Sequence, residues 1–96
     1  MESISVHVLF EARPGSGNAA EKVLVQLQEC SRKDPGCLQY DMHRHPENRD
    51  QFMLFERWES REMLDAHLKL AHLAEFENVV KDLLAREPQI SFWQPV

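Results

Sequence analysis

Residues 51–59, Gln-Phe-Met-Leu-Phe-Glu-Arg-Trp-Glu, leave few folds open, because both faces of the strand they imply carry large apolar side chains and one face also carries an acid. Successive side chains of a strand point to opposite sides, so Phe52, Leu54, Glu56 and Trp58 share one face while Met53 and Phe55 share the other. A sheet built on such a strand has to be covered on both sides. Glu56 is thereby set among apolar groups, where a carboxyl needs a partner or must hold its proton more tightly. In the next segment Met63, Leu64, His67, Leu68 and Ala71 recur at helical spacing, which puts His67 on the inward stripe of a helix aimed at the same interior.

The flanking sequence organises itself around this centre. Residues 3–12 alternate, with Ile4, Val6, Val8 and Phe10 on one face, and end at Pro14-Gly15-Ser16-Gly17, which predicts a first strand and its exit loop. Asn18 is the expected cap of a helix over residues 19–33, whose stripe is Ala20, Val23, Leu24, Leu27 and Cys30 and which stops before Pro35-Gly36. Residues 37–45 and 51–59 read as two strands joined by a turn at 46–50 and paired antiparallel. Ser60 caps the helix carrying His67, and the stripe resumes after His72 as Leu73, Phe76, Val80, Leu83 and Leu84, predicting two helical pieces or one bent helix. A last strand follows Pro88 over residues 89–96. The order strand, helix, strand, strand, helix, strand is the split βαβ pattern of a ferredoxin-like α+β sandwich with a four-stranded antiparallel sheet.

Ninety-six residues make one domain, 1–96, with little margin for folding alone. Helices cover only one face of an open sheet in this topology, so Met53, Phe55, Leu9 and Trp93 on the other face predict a homodimer packed sheet on sheet. The ligand cavity is then expected between sheet and helices, where Glu56 and His67 point. A net charge of −5 without a basic cluster argues against nucleic acid. No apolar run is long enough to span a bilayer, and the N-terminus goes into a strand pattern rather than a signal peptide, so the expected setting is cytoplasmic with no membrane partner. Cys30 and Cys37 match neither a redox nor a zinc spacing and read as two buried, reduced thiols. Asp41, His43 and His45 share a strand face but run into a polar turn, so they read as a solvated strand end and no metal is expected.

The combination Pro35-Gly36-Cys37-Leu38 with Tyr40, then Phe55-Glu56 with Trp58, then His67 with His72 and Phe76 behind it, resembles the antibiotic biosynthesis monooxygenase family across nearly the whole chain. The resemblance implies a dimeric α+β barrel and a kinship with small quinol monooxygenases. It also implies that Glu56, Trp58 and His67 line the cavity, with Tyr40 facing it from the neighbouring strand and His72 as a second recurrent histidine. The haem-degrading branch uses a first-strand asparagine, which this chain lacks, since Asn18 and Asn48 lie in loops.

These readings converge on a cofactor-independent monooxygenase acting with molecular oxygen on a quinol or another small electron-rich phenol. His67 is the candidate base and Glu56 its orienting carboxylate. Trp58, Leu54 and Phe52 are expected to stack on the ring and exclude water, Tyr40 to hydrogen-bond the substrate oxygen, and His72 to border the site. No glycine-rich dinucleotide fingerprint appears, and no cofactor is expected. The alternatives are an isomerase of a small phosphorylated metabolite using the same acid/base pair, and a non-catalytic dimeric binding or stress-associated protein. A histidine on an apolar helix face is more often a satisfied core residue than a catalyst, so the burial and partners of His67 carry the decision.

Overall fold

The alternation of residues 4–10 becomes β1 (Ile4–Glu11), whose buried residues Ile4, Val6, Val8 and Phe10 all face one way in a computed structural model that describes residues 3–96. Next come α1 (Gly17–Ser31), β2 (Cys37–Arg44) and β3 (Gln51–Trp58). The chain then forms α2 (Arg61–Leu68), α3 (Ala71–Lys81) and β4 (Gln89–Trp93). The strands form one antiparallel sheet in the order β2-β3-β1-β4, as the split βαβ pattern requires. Among the described residues no helix is long and apolar enough to cross a membrane.

In β3 every second residue is buried, and Phe52, Leu54, Glu56 and Trp58 form the inner face against Phe10, Val8, Val6 and Ile4 of β1. On its other edge β3 meets β2 through an irregularity between Cys37 and Gln39. Cys37 pairs with Trp58 and Gln39 with Arg57, so Leu38 is the extra residue and the strand beyond it changes face. Tyr40, not Gln39, therefore stands opposite Glu56. The free edge of β2 is closed by α1, where Gln28 Oε1 accepts from the Met42 amide (2.6 Å) and Arg32 Nε donates to the Tyr40 carbonyl (2.9 Å). That leaves this edge little capacity to pair with another strand.

The start of α1 differs from expectation. Ser16 is the N-cap, Asn18 lies inside the first turn accepting from Arg44 Nη1 (3.0 Å), and the cap is supplied by Asp50, whose carboxylate accepts from the Gly17 amide (3.1 Å). A carboxylate from the β2–β3 connection thus offsets the positive end of the helix, which sequence proximity does not reveal. Gly17 is required by this approach: a Cβ there would lie 2.5 Å from both Arg44 Nη2 and the Arg49 carbonyl oxygen. The buried stripe of α1 is Ala20, Leu24, Leu27 and Ser31, while Cys30 is exposed and Cys37 only half-buried, so the two cysteines are not the buried pair expected.

Ser60 caps α2 as expected, its hydroxyl accepting from the Met63 amide (3.2 Å). The inward stripe is narrower than the spacing suggests, because Leu64 and His67 are buried but Met63 and Leu68 are exposed. The helix ends at Leu68, and α3 begins anew with Leu70 as its N-cap, giving the two-piece alternative. After α3 the chain returns to β1, with Ala12 bridged to Leu84 and the Ala85 amide donating to the Glu11 carbonyl (2.8 Å).

The outer sheet face carries Leu9 and Trp93, both exposed, beside half-buried Met53 and Phe55. His7 bridges them edge-on, 5.1 Å from the Phe55 ring and 6.2 Å from that of Trp93. The helices pack over β2 and β3, so Ile90 and Phe92 of β4 stay exposed although they are registered opposite buried Val8 and Val6.

Replacing a first-turn glycine by alanine ordinarily favours a helix. Here the new Cβ meets backbone, and Gly17→Ala is expected to destabilise the protein by about 1–3 kcal/mol. A urea midpoint equal to or above that of the parent chain disproves the close-packing account.

Candidate active site

A cavity of about 330 Å³ lies between the sheet and the helices, where the inward faces of β3 and α2 were expected to meet. Val8, Phe10 and Leu54 form its floor, while Leu27 of α1 and Leu73 and Val80 of α3 close it from above. Tyr40, Glu56 and His67 bring polar atoms into this apolar chamber, and Pro88 and Ile90 border it on the β4 side. Of the residues expected to line it, Leu54, Tyr40, Glu56 and His67 do so. Phe52, Trp58 and His72 are not among its walls: Phe52 is buried beneath the Arg44 guanidinium (5.2 Å), Trp58 lies behind Glu56 and His67, and His72 sits at the start of α3.

Glu56 and His67 both face the chamber but are not held by one another. The Trp58 indole N–H donates to Glu56 Oε1 at 2.9 Å, joining two residues on the same face of β3. Burial pushes the Glu56 carboxyl up to about 7, against the indole hydrogen bond, which favours the anion. Near neutral pH it is therefore present both as a proton donor and as an acceptor.

The carboxylate that orients His67 is Asp34, at 2.8 Å from Nδ1, rather than Glu56 as expected. A carboxylate in that position accepts, so Nδ1 carries the proton and Nε2 keeps its lone pair. Burial lowers the proton affinity of His67 and outweighs the opposing pull of Asp34, leaving the ring neutral and able to accept a proton. The ring is fixed further by the Trp58 indole, with centroids 4.4 Å apart, and by an edge contact with Tyr40 at 5.9 Å. Burial, with the neighbouring Glu56 charge second, pushes the Tyr40 phenol well above its ordinary range, so it remains a neutral hydrogen-bonding group. Burial likewise raises the half-buried Cys37 thiol to about 11, which makes it a poor nucleophile.

Asp34 stands in the connection between α1 and β2, a position that helical spacing marks only as the end of a helix. A signal was present, because Asp34-Pro35-Gly36-Cys37 is a turn sequence with proline second and glycine third. Gly36 has φ +83° and the Cys37 amide donates to the Asp34 carbonyl (3.2 Å), so the turn fixes the backbone that presents the carboxylate to α2. Ser31, fully buried beside Tyr40, was also missed, although it extends the run Ala20, Leu24, Leu27 by four residues. The Asp41, His43, His45 strand end is used locally: Asp41 binds Arg32 (2.9 Å) and Gln39 (2.7 Å), and His45 Nδ1 accepts from the Glu47 and Asn48 amides. Among the described residues no group of three His, Cys, Asp or Glu side chains is arranged to hold a metal ion.

Residues 3–85 match the family model described as antibiotic biosynthesis monooxygenase. The chain is 28% identical over 93 residues to a Mycobacterium tuberculosis protein named "putative monooxygenase", covering 97% of this chain and 91% of that one. The solved structure of that relative matches with a TM-score of 0.90 over 98% of this chain and 95% of its own. A Bacteroides thetaiotaomicron protein of unknown function, titled a possible oxidoreductase, is 29% identical with a TM-score of 0.90 over 98% of both chains. An uncharacterized Synechocystis protein is 33% identical over 66 residues, 69% of this chain, but the match spans 45% of that protein's length.

The buried carboxyl makes stability pH-dependent. Because Glu56 holds its proton to about pH 7 in the folded chain against 4.5 ordinarily, its contribution is fully present below pH 4.5 and is lost as pH rises through 7. The loss amounts to about 3 kcal/mol. Glu56→Gln keeps an acceptor for the indole and is expected to gain stability over the parent at pH 8, with the gain shrinking at pH 5. Equal denaturant-midpoint differences at the two pH values rule out this assignment.

Proposed function

The chain belongs to the antibiotic biosynthesis monooxygenase family, and from that premise we propose that it is a cofactor-independent monooxygenase that oxidises a quinol or another electron-rich phenol with molecular oxygen. The observation that carries this reading is the state of His67, with Nδ1 bound to Asp34 and Nε2 left with its lone pair at the wall of an apolar chamber. In that setting Nε2 takes the proton of a substrate hydroxyl. The resulting phenolate is electron-rich enough to reduce oxygen itself. One oxygen atom bonds to a ring carbon and becomes a carbonyl, while the other leaves as water with the hydroxyl hydrogen and the hydrogen displaced from that carbon. Atoms and electrons balance without a separate reductant.

Each remaining group has a place in this scheme. Leu54, Val8 and Phe10 exclude water from the anion and contact the ring. Tyr40 donates to a substrate oxygen, and Glu56, whose carboxyl burial pushes up to about 7, exchanges a proton with the second oxygen. Trp58 acts from behind by holding Glu56 and stacking on His67, and Phe52 supports the floor. The charged groups on the walls are Glu56, Glu77 and Lys81, a balance better suited to a neutral aromatic ring than to a phosphorylated metabolite. The exposed outer-face residues Leu9 and Trp93, with Met53 and Phe55, support a homodimer formed sheet on sheet.

Oxygen uptake against a panel of reduced quinols and naphthols tests the reading. The parent chain is expected to consume oxygen with at least one of them, and His67→Ala to lose about a hundredfold or more in rate while keeping its fold. Asp34→Asn is expected to lower kcat comparably, because the acceptor-only carboxylate that fixes the tautomer is replaced by an uncharged amide that can also donate to Nδ1. No uptake from the parent chain across the panel overturns the assignment.

A further inference from the structure

Asp34 has a second histidine beside it. The same oxygen that binds His67 Nδ1, Oδ2, lies 3.5 Å from His72 Nε2 in the first turn of α3. That nitrogen is buried and has no hydrogen-bond partner among the described residues, the 3.5 Å approach to Asp34 being longer than an ordinary hydrogen bond. The three side chains grade outward: His67 is 2% exposed, Asp34 11% and His72 34%. A line of alternating imidazole, carboxylate and imidazole thus runs from the chamber wall to the surface, and its outermost member is the one whose ring reaches solvent.

Such a line solves a problem that the orienting hydrogen bond alone leaves open. A proton taken from the cavity by His67 creates a buried imidazolium, and burial is the main force opposing that charge. Glu77 and the Asp34 carboxylate attract the charge, His72 opposes it, and the neighbouring Tyr40 stays neutral. We propose that His72 is the proton outlet of the site, with Asp34 as the bridge that passes the proton between His67 and His72.

Each transfer conserves protons. His67 Nε2 gains the proton from the cavity, the Nδ1 proton moves to Asp34 Oδ2, and Oδ2 yields it to His72 Nε2. His72 then releases the proton on Nδ1 to water or buffer. The reverse order returns a proton to the cavity. Transfer across the 3.5 Å gap requires a small turn of the His72 ring, and polar contacts at catalytic sites are often long until the site is occupied. His72 acts through Asp34 and His67 and need not touch the substrate. Its catalytic use rests on the reading given under Proposed function, but the relay itself is a property of the empty protein.

Solvent exchange of the His67 Nδ1 proton, followed by NMR in the full chain without substrate, tests it directly. His72→Gln places an amide where Nε2 stood, so it keeps a polar group facing Asp34 but cannot pass a proton on. His72→Phe removes both properties. Exchange is expected to slow about tenfold or more in both variants. In the parent chain it is expected to quicken as imidazole buffer is added, a response both variants should lack. A purely structural His72 predicts that the glutamine variant exchanges like the parent, and that result overturns the proposal. The same preparations separate this outcome from the broader reading. Slowed exchange in a protein that consumes no oxygen keeps the relay and removes the monooxygenase, whereas oxygen uptake with unaltered exchange removes the relay alone.

Discussion

The register of β3 between its two neighbours is the constraint on which the rest depends. Pairing Val6 with Glu56 on one side and Tyr40 with Glu56 on the other aligns the inner faces of three strands, and that alignment makes the floor of the chamber. A slip by one residue in a strand exchanges its two faces. The bulge at Leu38 is such a slip placed deliberately: before it Cys37 opposes Trp58, and after it Tyr40 rather than Gln39 faces Glu56. Without that extra residue the chamber would hold an amide where it now holds a phenol, and Tyr40 would lie on the outer face beside Phe55.

The two buried titratable groups are stabilised differently, and the difference sets what each can do. Glu56 receives one neutral hydrogen bond from Trp58, too little to offset burial, so it keeps its proton to about pH 7. His67 receives a carboxylate, which fixes the tautomer without reversing the effect of burial on its charge. Trp58 serves both groups, as donor to one and stacking surface for the other, so a side chain outside the chamber fixes the geometry of two inside it. Ion pairs elsewhere, such as Arg61 with Asp65 and Arg32 with Glu29, are exposed and add little to stability.

Much of the fold was legible because its elements obey the two simplest periodicities. Alternation located β1 and β3 to within a residue or two, and Ser60 marked the start of α2 through a cap that depends only on neighbours in sequence. Reading failed where a residue's role depends on something distant. Asn18 has the chemistry of a cap, but Asp50 from the β2–β3 connection reaches the helix first. Cys30 fits the stripe of α1 by spacing, yet Ser31 takes the buried place because β2 closes over that side of the helix. Ile90 and Phe92 show the converse, inward-facing by register but exposed, since the helices pack mainly over β2 and β3.

The sequence by itself determined the order of elements, the inward placement of Glu56 and His67 and the apolar character of both faces of β3, because these follow from local backbone geometry repeated every two or 3.6 residues. Only the tertiary structure decided which acid belongs to which base. Glu56 and His67 point into the same chamber, but a hydrogen bond needs atoms within about 3 Å, and that distance is set by how the Pro35-Gly36 turn, β3 and α2 converge. The turn delivers Asp34 to His67 at 2.8 Å and leaves Glu56 to Trp58, a pairing between residues thirty-three positions apart that no periodicity encodes.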